Sequence, residues 1–213
     1  MRLIICLAII FSSKLVTAQH FTETEKQLIL SGDTSMMLPI IPLTEPAGAK
    51  ALRATSKDIA FNDPLLPLLK NRMLKAVLDS SHRGVGIAAP QVGINRNLIW
   101  VQRFDKPNQP FEFFINPKIE WGSSLLCLGG EGDLSFDEGG DVVRHYTIRI
   151  SYTDMEGQQH TEMLEEFTAV IFQHETDHLF GKLLTDRIAE QKNKKYVPLE
   201  PVRSKALLRE LPE

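Results

Sequence analysis

The residues most able to carry out chemistry lie at positions 174–178, which read His-Glu-Thr-Asp-His, the pattern H-E-x-x-H. Apolar residues at three- and four-residue spacing predict a helix over residues 165–180. Residues four positions apart share one face of a helix, so the imidazoles of His174 and His178 could bind one metal ion. Glu175 would then be placed to accept a proton from a water molecule. The segment therefore predicts a metal centre that catalyses hydrolysis.

Two histidines do not complete such a centre, because a catalytic zinc-type site usually has three protein ligands. The extended pattern with a third histidine downstream fails, since Leu184 stands at the required position. Glu190 or Glu200 could supply a downstream carboxylate, as in thermolysin-like peptidases. A ligand from the upstream part of the chain is the other possibility, so these residues alone leave the third ligand open.

Three segments resemble the motifs of the peptide deformylase family, in the family's order. They are residues 84–91 (G-V-G-I-A-A-P-Q), 131–135 (E-G-D-L-S) and 173–179 (Q-H-E-T-D-H-L). The family patterns are G-x-G-(I/L)-A-A-x-Q, E-G-C-L-S and Q-H-E-x-D-H-L, and the resemblance runs over residues 39–188. The resemblance implies a single α+β domain in which mainly antiparallel sheets pack around a central H-E-x-x-H helix.

The resemblance also implies a ligand set: Asp133, His174 and His178 would hold one divalent metal ion, Fe²⁺ or Zn²⁺. Asp133 stands where the family has a cysteine. A carboxylate oxygen binds zinc at about 2.0–2.2 Å and a thiolate at about 2.3 Å, and two histidines with one carboxylate are an established ligand set. We therefore expect the carboxylate to replace the thiolate. Cys127 lies among leucines and is expected to be a core residue instead of a ligand.

The reaction implied by the resemblance is hydrolysis of N-formylmethionyl peptides with release of formate. Glu175 would transfer the proton, while the Gln91 amide and the backbone N–H of Leu134 would stabilise the oxyanion. Gly86, which has no Cβ, suits close approach of the substrate backbone, and Ile87 is a candidate for the methionine pocket. The alternative is a non-catalytic relative that binds metal or formyl-peptides outside the cytoplasm.

The rest of the sequence must supply elements that hold these motifs. Hydrophobic periodicity predicts helices over residues 64–81 and 206–210, and strands over residues 97–103, 111–115 and 142–152. Five glycines within residues 129–140 predict a loop. Arg144 could pair with Glu131 and so hold the ligand-bearing segment, and an exposed position on a strand edge is the alternative.

Composition narrows the function classes. The chain has 213 residues, of which 43% are hydrophobic, and a formal net charge of −3. This balance is typical of a folded domain, and the lack of a basic surplus excludes an electrostatically driven nucleic-acid binder. Two cysteines exclude a disulfide framework. We expect a monomer that acts on an N-formylated peptide, with no nucleic-acid partner and no stable membrane span in the mature chain.

The N-terminal residues 1–18 have the pattern of a secretory signal peptide. Arg2 precedes an apolar run over residues 3–11, and Val-Thr-Ala at residues 16–18 resembles a cleavage site. Cleavage after Ala18 would place the protein in the periplasm or outside the cell, and without cleavage it would be cytoplasmic.

The mature chain is divided into three parts by its composition. Residues 19–50 form a leader that prolines predict to be extended, and residues 51–190 form the deformylase-like domain. Residues 191–213 form a charged C-terminal tail.

Overall fold

The computed structural model describes residues 19–199 and 206–211, and the predicted signal peptide lies outside this part of the chain. Its helices are α1 (Glu23–Ile29), α2 (Pro46–Leu52), α3 (Leu66–Val77), α4 (Glu166–Leu179) and α5 (Leu184–Gln191), with a 3-10 turn at Ala89–Val92. Its strands are β1 (Gly86–Ala88), β2 (Leu98–Gln102), β3 (Phe111–Gly122), β4 (Leu126–Asp133), β5 (Phe136–His145), β6 (Thr147–Thr153), β7 (Gln159–Glu165), β8 (Tyr196–Pro198) and β9 (Ala206–Glu210). None of these helices combines the length and the apolar character needed to cross a bilayer.

The first sheet is antiparallel and has the strand order β1-β2-β3-β6-β7. One of its faces buries Ile148, Ile150 and Leu164 in the core that includes residues of α4. Strand β3 continues past its predicted end at residue 115, because a bulge with Asn116 at φ 52° accommodates Pro117 inside the strand.

The second sheet is also antiparallel, with the order β5-β4-β9-β8. Strands β4 and β5 form a hairpin in which Asp133 is paired with Phe136, so Leu134 and Ser135 make the turn. The second motif therefore lies at the tip of a hairpin, where its side chains can reach helix α4.

Helix α4 lies at the centre of the fold, and its residues from Thr168 to Leu179 are all buried. It packs against β1 and β2 and also contacts β5. Phe172 meets Phe114 of β3 edge-to-face, with ring centroids 5.2 Å apart. The α+β fold with antiparallel sheets around a central H-E-x-x-H helix is therefore confirmed, as are the helices predicted over residues 64–81 and 165–180.

The leader, residues 19–50, is not wholly extended, so that prediction is wrong for α1 and α2. Thr22 caps α1: its side chain accepts from the N–H of Glu25, and the Glu25 carboxylate accepts from the N–H of Thr22. Helix α2 begins at Pro46, because the first helical turn tolerates proline. The prolines interrupt the leader without excluding short helices.

The loop predicted over residues 129–140 is also wrong, because most of it belongs to β4 and β5. A Cβ on Gly139 would lie 2.9 Å from the carbonyl oxygen of Glu131. A Cβ on Gly140 would lie 2.6 Å from Cδ1 of Ile188 in α5. These glycines allow close packing inside a hairpin and do not mark a loop.

The C-terminal tail, residues 191–213, contributes to the second sheet. Residues 206–210 form strand β9 instead of the predicted short helix, because they pair with β4 on one side and β8 on the other. Leu208, opposite Leu126, is buried by this pairing. Tertiary pairing has overridden the local helical pattern.

The leader also crosses the segments that carry the first two motifs. The N–H of Ile41 donates to the carbonyl oxygen of Gln91 at 2.8 Å, and the N–H of Leu43 donates to that of Ser135 at 2.9 Å. Two backbone hydrogen bonds thus join the 3-10 turn to the tip of the β4–β5 hairpin.

Candidate active site

The three motifs meet at one cavity of about 380 Å³. The first motif reaches it through β1 and the 3-10 turn, the second through the hairpin tip, and the third through α4. The lining residues are His82, Arg83, Gly84, Val85, Gly86, Gln91, Gly130, Glu131, Gly132, Asp133, Leu134, Phe167, Val170, Ile171, His174 and Glu175. A larger cavity of about 650 Å³ is lined by Thr176, Asp177 and residues of the β3 region, and contains none of the predicted site residues.

Asp133, His174 and His178 each present one ligand atom, and these three atoms all lie within 4.8 Å of one another. Oδ2 of Asp133 is 3.1 Å from Nε2 of His178 and 3.6 Å from Nε2 of His174. Helix α4 supplies both imidazoles from one face, and their ring centroids are 5.1 Å apart. The candidate third ligand therefore lies upstream of the helix, at the end of β4.

This donor set fits a metal ion. Oδ2 of Asp133 and Nε2 of His178 are buried, yet neither has a hydrogen-bond partner among the described residues, despite their 3.1 Å separation. Buried polar atoms without partners are costly unless something else satisfies them. Two atoms that bind one ion at about 2.1 Å with a tetrahedral angle are about 3.4 Å apart. The distances of 3.1 and 3.6 Å lie on either side of that value.

The second oxygen of Asp133 is held by the protein. Its Oδ1 accepts from the Nε2 of Gln91 at 3.1 Å and from the backbone N–H of Ser135 at 2.8 Å. Burial opposes ionisation of Asp133, but the two histidines outweigh burial and hold its pKa well below the usual range. The carboxylate is therefore ionised, as a metal ligand must be.

His174 is oriented through its other ring nitrogen. Nδ1 lies 2.9 Å from Oε2 of Glu131, and the two carboxylate oxygens of Glu131 each accept one hydrogen bond of 2.8 Å from the guanidinium of Arg144. Burial raises the pKa of Glu131, but Arg144 and His174 outweigh it and lower that pKa to about 2. The predicted pairing of Arg144 with Glu131 is confirmed, and it fixes the ring that presents Nε2 to the ligand cluster.

Arg144 continues this network to the other side of α4. It also donates to Asp177, which forms an ion pair with Arg187 of α5. The Arg144 and Asp177 side chains are only 4% and 9% exposed. The buried guanidinium of Arg144 therefore links the hairpin directly to the central helix and, through Asp177, to α5.

Glu175 is the buried acid of the cavity. It is 4% exposed, and its Oε2 has no hydrogen-bond partner among the described residues. Burial is the main cause that raises the pKa of Glu175 to about 7, and nearby Asp133 and Glu131 act in the same direction against the two histidines. A carboxyl group with a pKa near neutrality is suited to taking and giving a proton.

Glycine is required at position 86 because Glu175 and helix α4 lie too close to leave room for a Cβ. A Cβ at this position would overlap Oε1 of Glu175 and would lie 2.8 Å from Cγ2 of Ile171. The neighbouring Ile87 points to the opposite face of the strand, into the hydrophobic core, and does not line the cavity. The structure thus brings Gly86 to the site and places Ile87 away from it.

The positions of Glu190 and Cys127 exclude two other candidate ligands. Glu190 lies on α5 and pairs with Lys182 and Arg187, with 47% of its side chain exposed, so it is not the third ligand. Glu200 lies outside the described residues. Cys127 is buried in β4 and does not belong to the ligand cluster of the described chain, as the sequence predicted.

Sequence reasoning missed part of the cavity wall. Val170 and Phe167 of α4 line the cavity one and two turns before His174, and Arg83 also lines it. Helical spacing from His174 was the signal that could have placed Val170 on the cavity face. The same spacing reaches Phe167, seven residues before His174, whereas no local signal distinguishes Arg83 from an ordinary surface residue.

Comparison with known proteins identifies the family. A model of the polypeptide deformylase family matches residues 37–194. A peptide deformylase of Synechocystis sp. is 40% identical over 143 residues, which cover 66% of this chain and 75% of the relative.

Solved structures of peptide deformylases resemble this chain as well. The actinonin-bound crystal structure of a class I type b peptide deformylase from Acinetobacter baumannii has a TM-score of 0.64 and 33% identity, covering 72% of this chain and 99% of that one. The Met-Ala-Ser-bound structure of a class I type b peptide deformylase from that organism has a TM-score of 0.63 and 34% identity, covering 71% and 98%. The chain therefore belongs to the polypeptide deformylase family, a family of metal-dependent amidohydrolases.

Proposed function

We propose that this protein removes the formyl group from N-formylmethionyl peptides and releases formate. The observation that carries the proposal is the cluster of Asp133, His174 and His178 at a cavity that Asp133, His174 and the buried Glu175 line. The Met-Ala-Ser peptide bound to the Acinetobacter relative supports a peptide substrate with methionine at its N-terminus.

Asp133, His174 and His178 would hold one divalent ion, Fe²⁺ or Zn²⁺. When bound, the ion supplies Lewis acidity and makes water nucleophilic near neutral pH. Asp133 occupies the position of the cysteine in the E-G-C-L-S pattern. Because a carboxylate is a harder donor than a thiolate, this change bears on which metal the site prefers.

Glu175 moves the proton. Its ionised carboxylate takes a proton from the attacking water molecule, and the acid so formed gives that proton to the leaving amine. The bond between the formyl carbon and the methionine nitrogen breaks. Formate leaves, and the peptide keeps a free N-terminal amine. The raised pKa of Glu175, about 7, suits both transfers.

Hydrogen-bond donors on the hairpin tip and on the 3-10 turn would stabilise the negative charge that develops on the carbonyl oxygen. Gln91 is 1% exposed and lines the cavity with Leu134, so the Gln91 amide and the backbone N–H of Leu134 would act as the donors. The apolar side chains of Val170 and Ile171 offer contact for a methionine side chain.

The test is formate release from formyl-Met-Ala-Ser by the purified full chain, prepared without metal and then loaded with Fe²⁺ under anaerobic conditions or with Zn²⁺. We expect turnover that requires the metal and that Glu175→Gln abolishes. A folded, metal-loaded protein that releases no formate would contradict the proposal and favour the non-catalytic relative.

The cellular location belongs to the same proposal. Removal of residues 1–18 as a signal peptide would place the enzyme outside the cytoplasm, and the site is complete without those residues. We expect it to act as a monomer.

A further inference from the structure

We propose that Gln91 is a positioning residue for Asp133: its amide holds one carboxylate oxygen so that the other alone is presented to the metal. The inference rests on the proposed role of Asp133 as a ligand and adds to it a residue that controls how this ligand binds.

The two oxygens of Asp133 have different surroundings. Oδ1 accepts from Nε2 of Gln91 at 3.1 Å and from the N–H of Ser135 at 2.8 Å. Oδ2 has no hydrogen-bond partner among the described residues and faces the Nε2 atoms of His178 and His174 at 3.1 and 3.6 Å. One oxygen is thus used by the protein and the other is left for the ion.

The orientation of the Gln91 amide follows from its other contact. Its Oε1 accepts from the N–H of Ala88 at 2.9 Å, and only the oxygen of an amide can accept there. The nitrogen must therefore face Asp133. The Gln91 backbone is fixed too, because its carbonyl oxygen accepts from Ile41 at 2.8 Å.

A carboxylate needs this support and a thiolate does not. A thiolate offers one ligand atom, whereas a carboxylate has two oxygens and can bind through either or both. Holding Oδ1 removes that freedom. The amide nitrogen carries two hydrogens, so one can hold Asp133 while the other remains for the carbonyl oxygen of the substrate. Gln91 thereby links the ligand to the oxyanion site.

The test measures metal affinity instead of turnover. Dissociation constants for Co²⁺ are determined by competition with a chelating indicator on the metal-free full chain, and the visible absorption of bound Co²⁺ reports ligand geometry. The proteins are the parent, Gln91→Met, Asp133→Cys and the double variant. Gln191→Met is the matched control, because Gln191 also bonds backbone groups, those of Val143, but has no contact with the ligands.

We expect Gln91→Met to weaken Co²⁺ binding about 10- to 100-fold, the usual effect of losing a group that orients a metal ligand. In the Asp133→Cys protein the same change should alter binding less than about 3-fold, because no second oxygen is left to hold. Gln191→Met should leave binding unchanged. If Gln91→Met does not fold, Gln91→Leu replaces it.

Equal losses in the two backgrounds would show a general structural effect and overturn the proposal, as would no loss in the parent. Failure of the underlying assignment is distinct: Asp133→Ala would then bind Co²⁺ as tightly as the parent.

Discussion

Gly86 and Glu175 share a space that holds only one of their side chains. A Cβ on Gly86 would overlap Oε1 of Glu175, whose side chain is buried. Gly86→Ala should therefore displace the carboxylate while leaving the metal ligands in place. Because a misplacement of about 1 Å can cost about 100-fold in rate, we expect kcat to fall by roughly that factor with metal content unchanged.

The matched control for this change is Gly129→Ala. A Cβ on Gly129 meets nothing within 4 Å, so the same substitution should be harmless there. Steady-state kinetics and metal analysis of both variants make the comparison. Normal kcat in Gly86→Ala would show that the position of Glu175 does not limit the rate.

Glu175→Gln tests the proton transfer directly. Glutamine has nearly the same shape but cannot take a proton, so we expect kcat to fall by about 10²- to 10⁴-fold. Metal affinity should stay close to that of the parent, since Glu175 is not one of the three ligands. Full activity in a metal-loaded Glu175→Gln protein would rule out this role.

Asp133 variants test the ligand and its resistance to oxidation. Asp133→Ala should lose metal affinity, because two histidines alone leave the site open. Asp133→Cys should still bind metal but should become sensitive to peroxide, which oxidises a thiolate to sulfenic acid and beyond. Metal content and formate release are measured before and after mild peroxide. A Cys variant that resists peroxide as well as the parent would contradict the expected sensitivity to oxidation, but would leave the ligand assignment unaffected.

Arg144→Met tests the buried ion network. The change would leave Glu131 and Asp177 as buried carboxylates without their shared partner, which typically costs about 3–5 kcal/mol of unfolding free energy. Urea unfolding of the metal-free protein measures this loss. Arg187→Met is the control, because Arg187 is 32% exposed and its loss should cost much less. Similar losses in the two variants would mean that Arg144 has no special place in the network.

The signal-peptide prediction is tested at the N-terminus of the protein. In a host that cleaves signal peptides, the mature protein should begin near Gln19, and the first 18 residues should be missing. N-terminal sequencing of the purified protein decides the matter. Intact Met1 on an active cytoplasmic protein would contradict the prediction.

The sequence predicted the helix and its ligands because their signals are local. His174 and His178 lie four residues apart on a strongly periodic segment, whereas Asp133 was predicted only from the resemblance of residues 131–135 to a family motif. The β4–β5 hairpin was missed because Gly139 and Gly140 are demanded by partners distant in the sequence or across the strand pair. The hydrogen bond from the Gln91 amide to Asp133 depends on the rotamers of both side chains, so the spacing of the two residues in the sequence does not predict it.

The two backbone hydrogen bonds from Ile41 and Leu43 set the true extent of the catalytic unit. They connect Gln91, the proposed oxyanion donor, with Ser135, which lies two residues after the candidate ligand Asp133. A boundary drawn at residue 51 would remove both of these backbone hydrogen bonds and leave the amide of Gln91 as the direct hydrogen bond from the 3-10 turn to Asp133. The indivisible unit of this enzyme therefore begins before residue 41, and shortened or transplanted forms should keep that stretch whole.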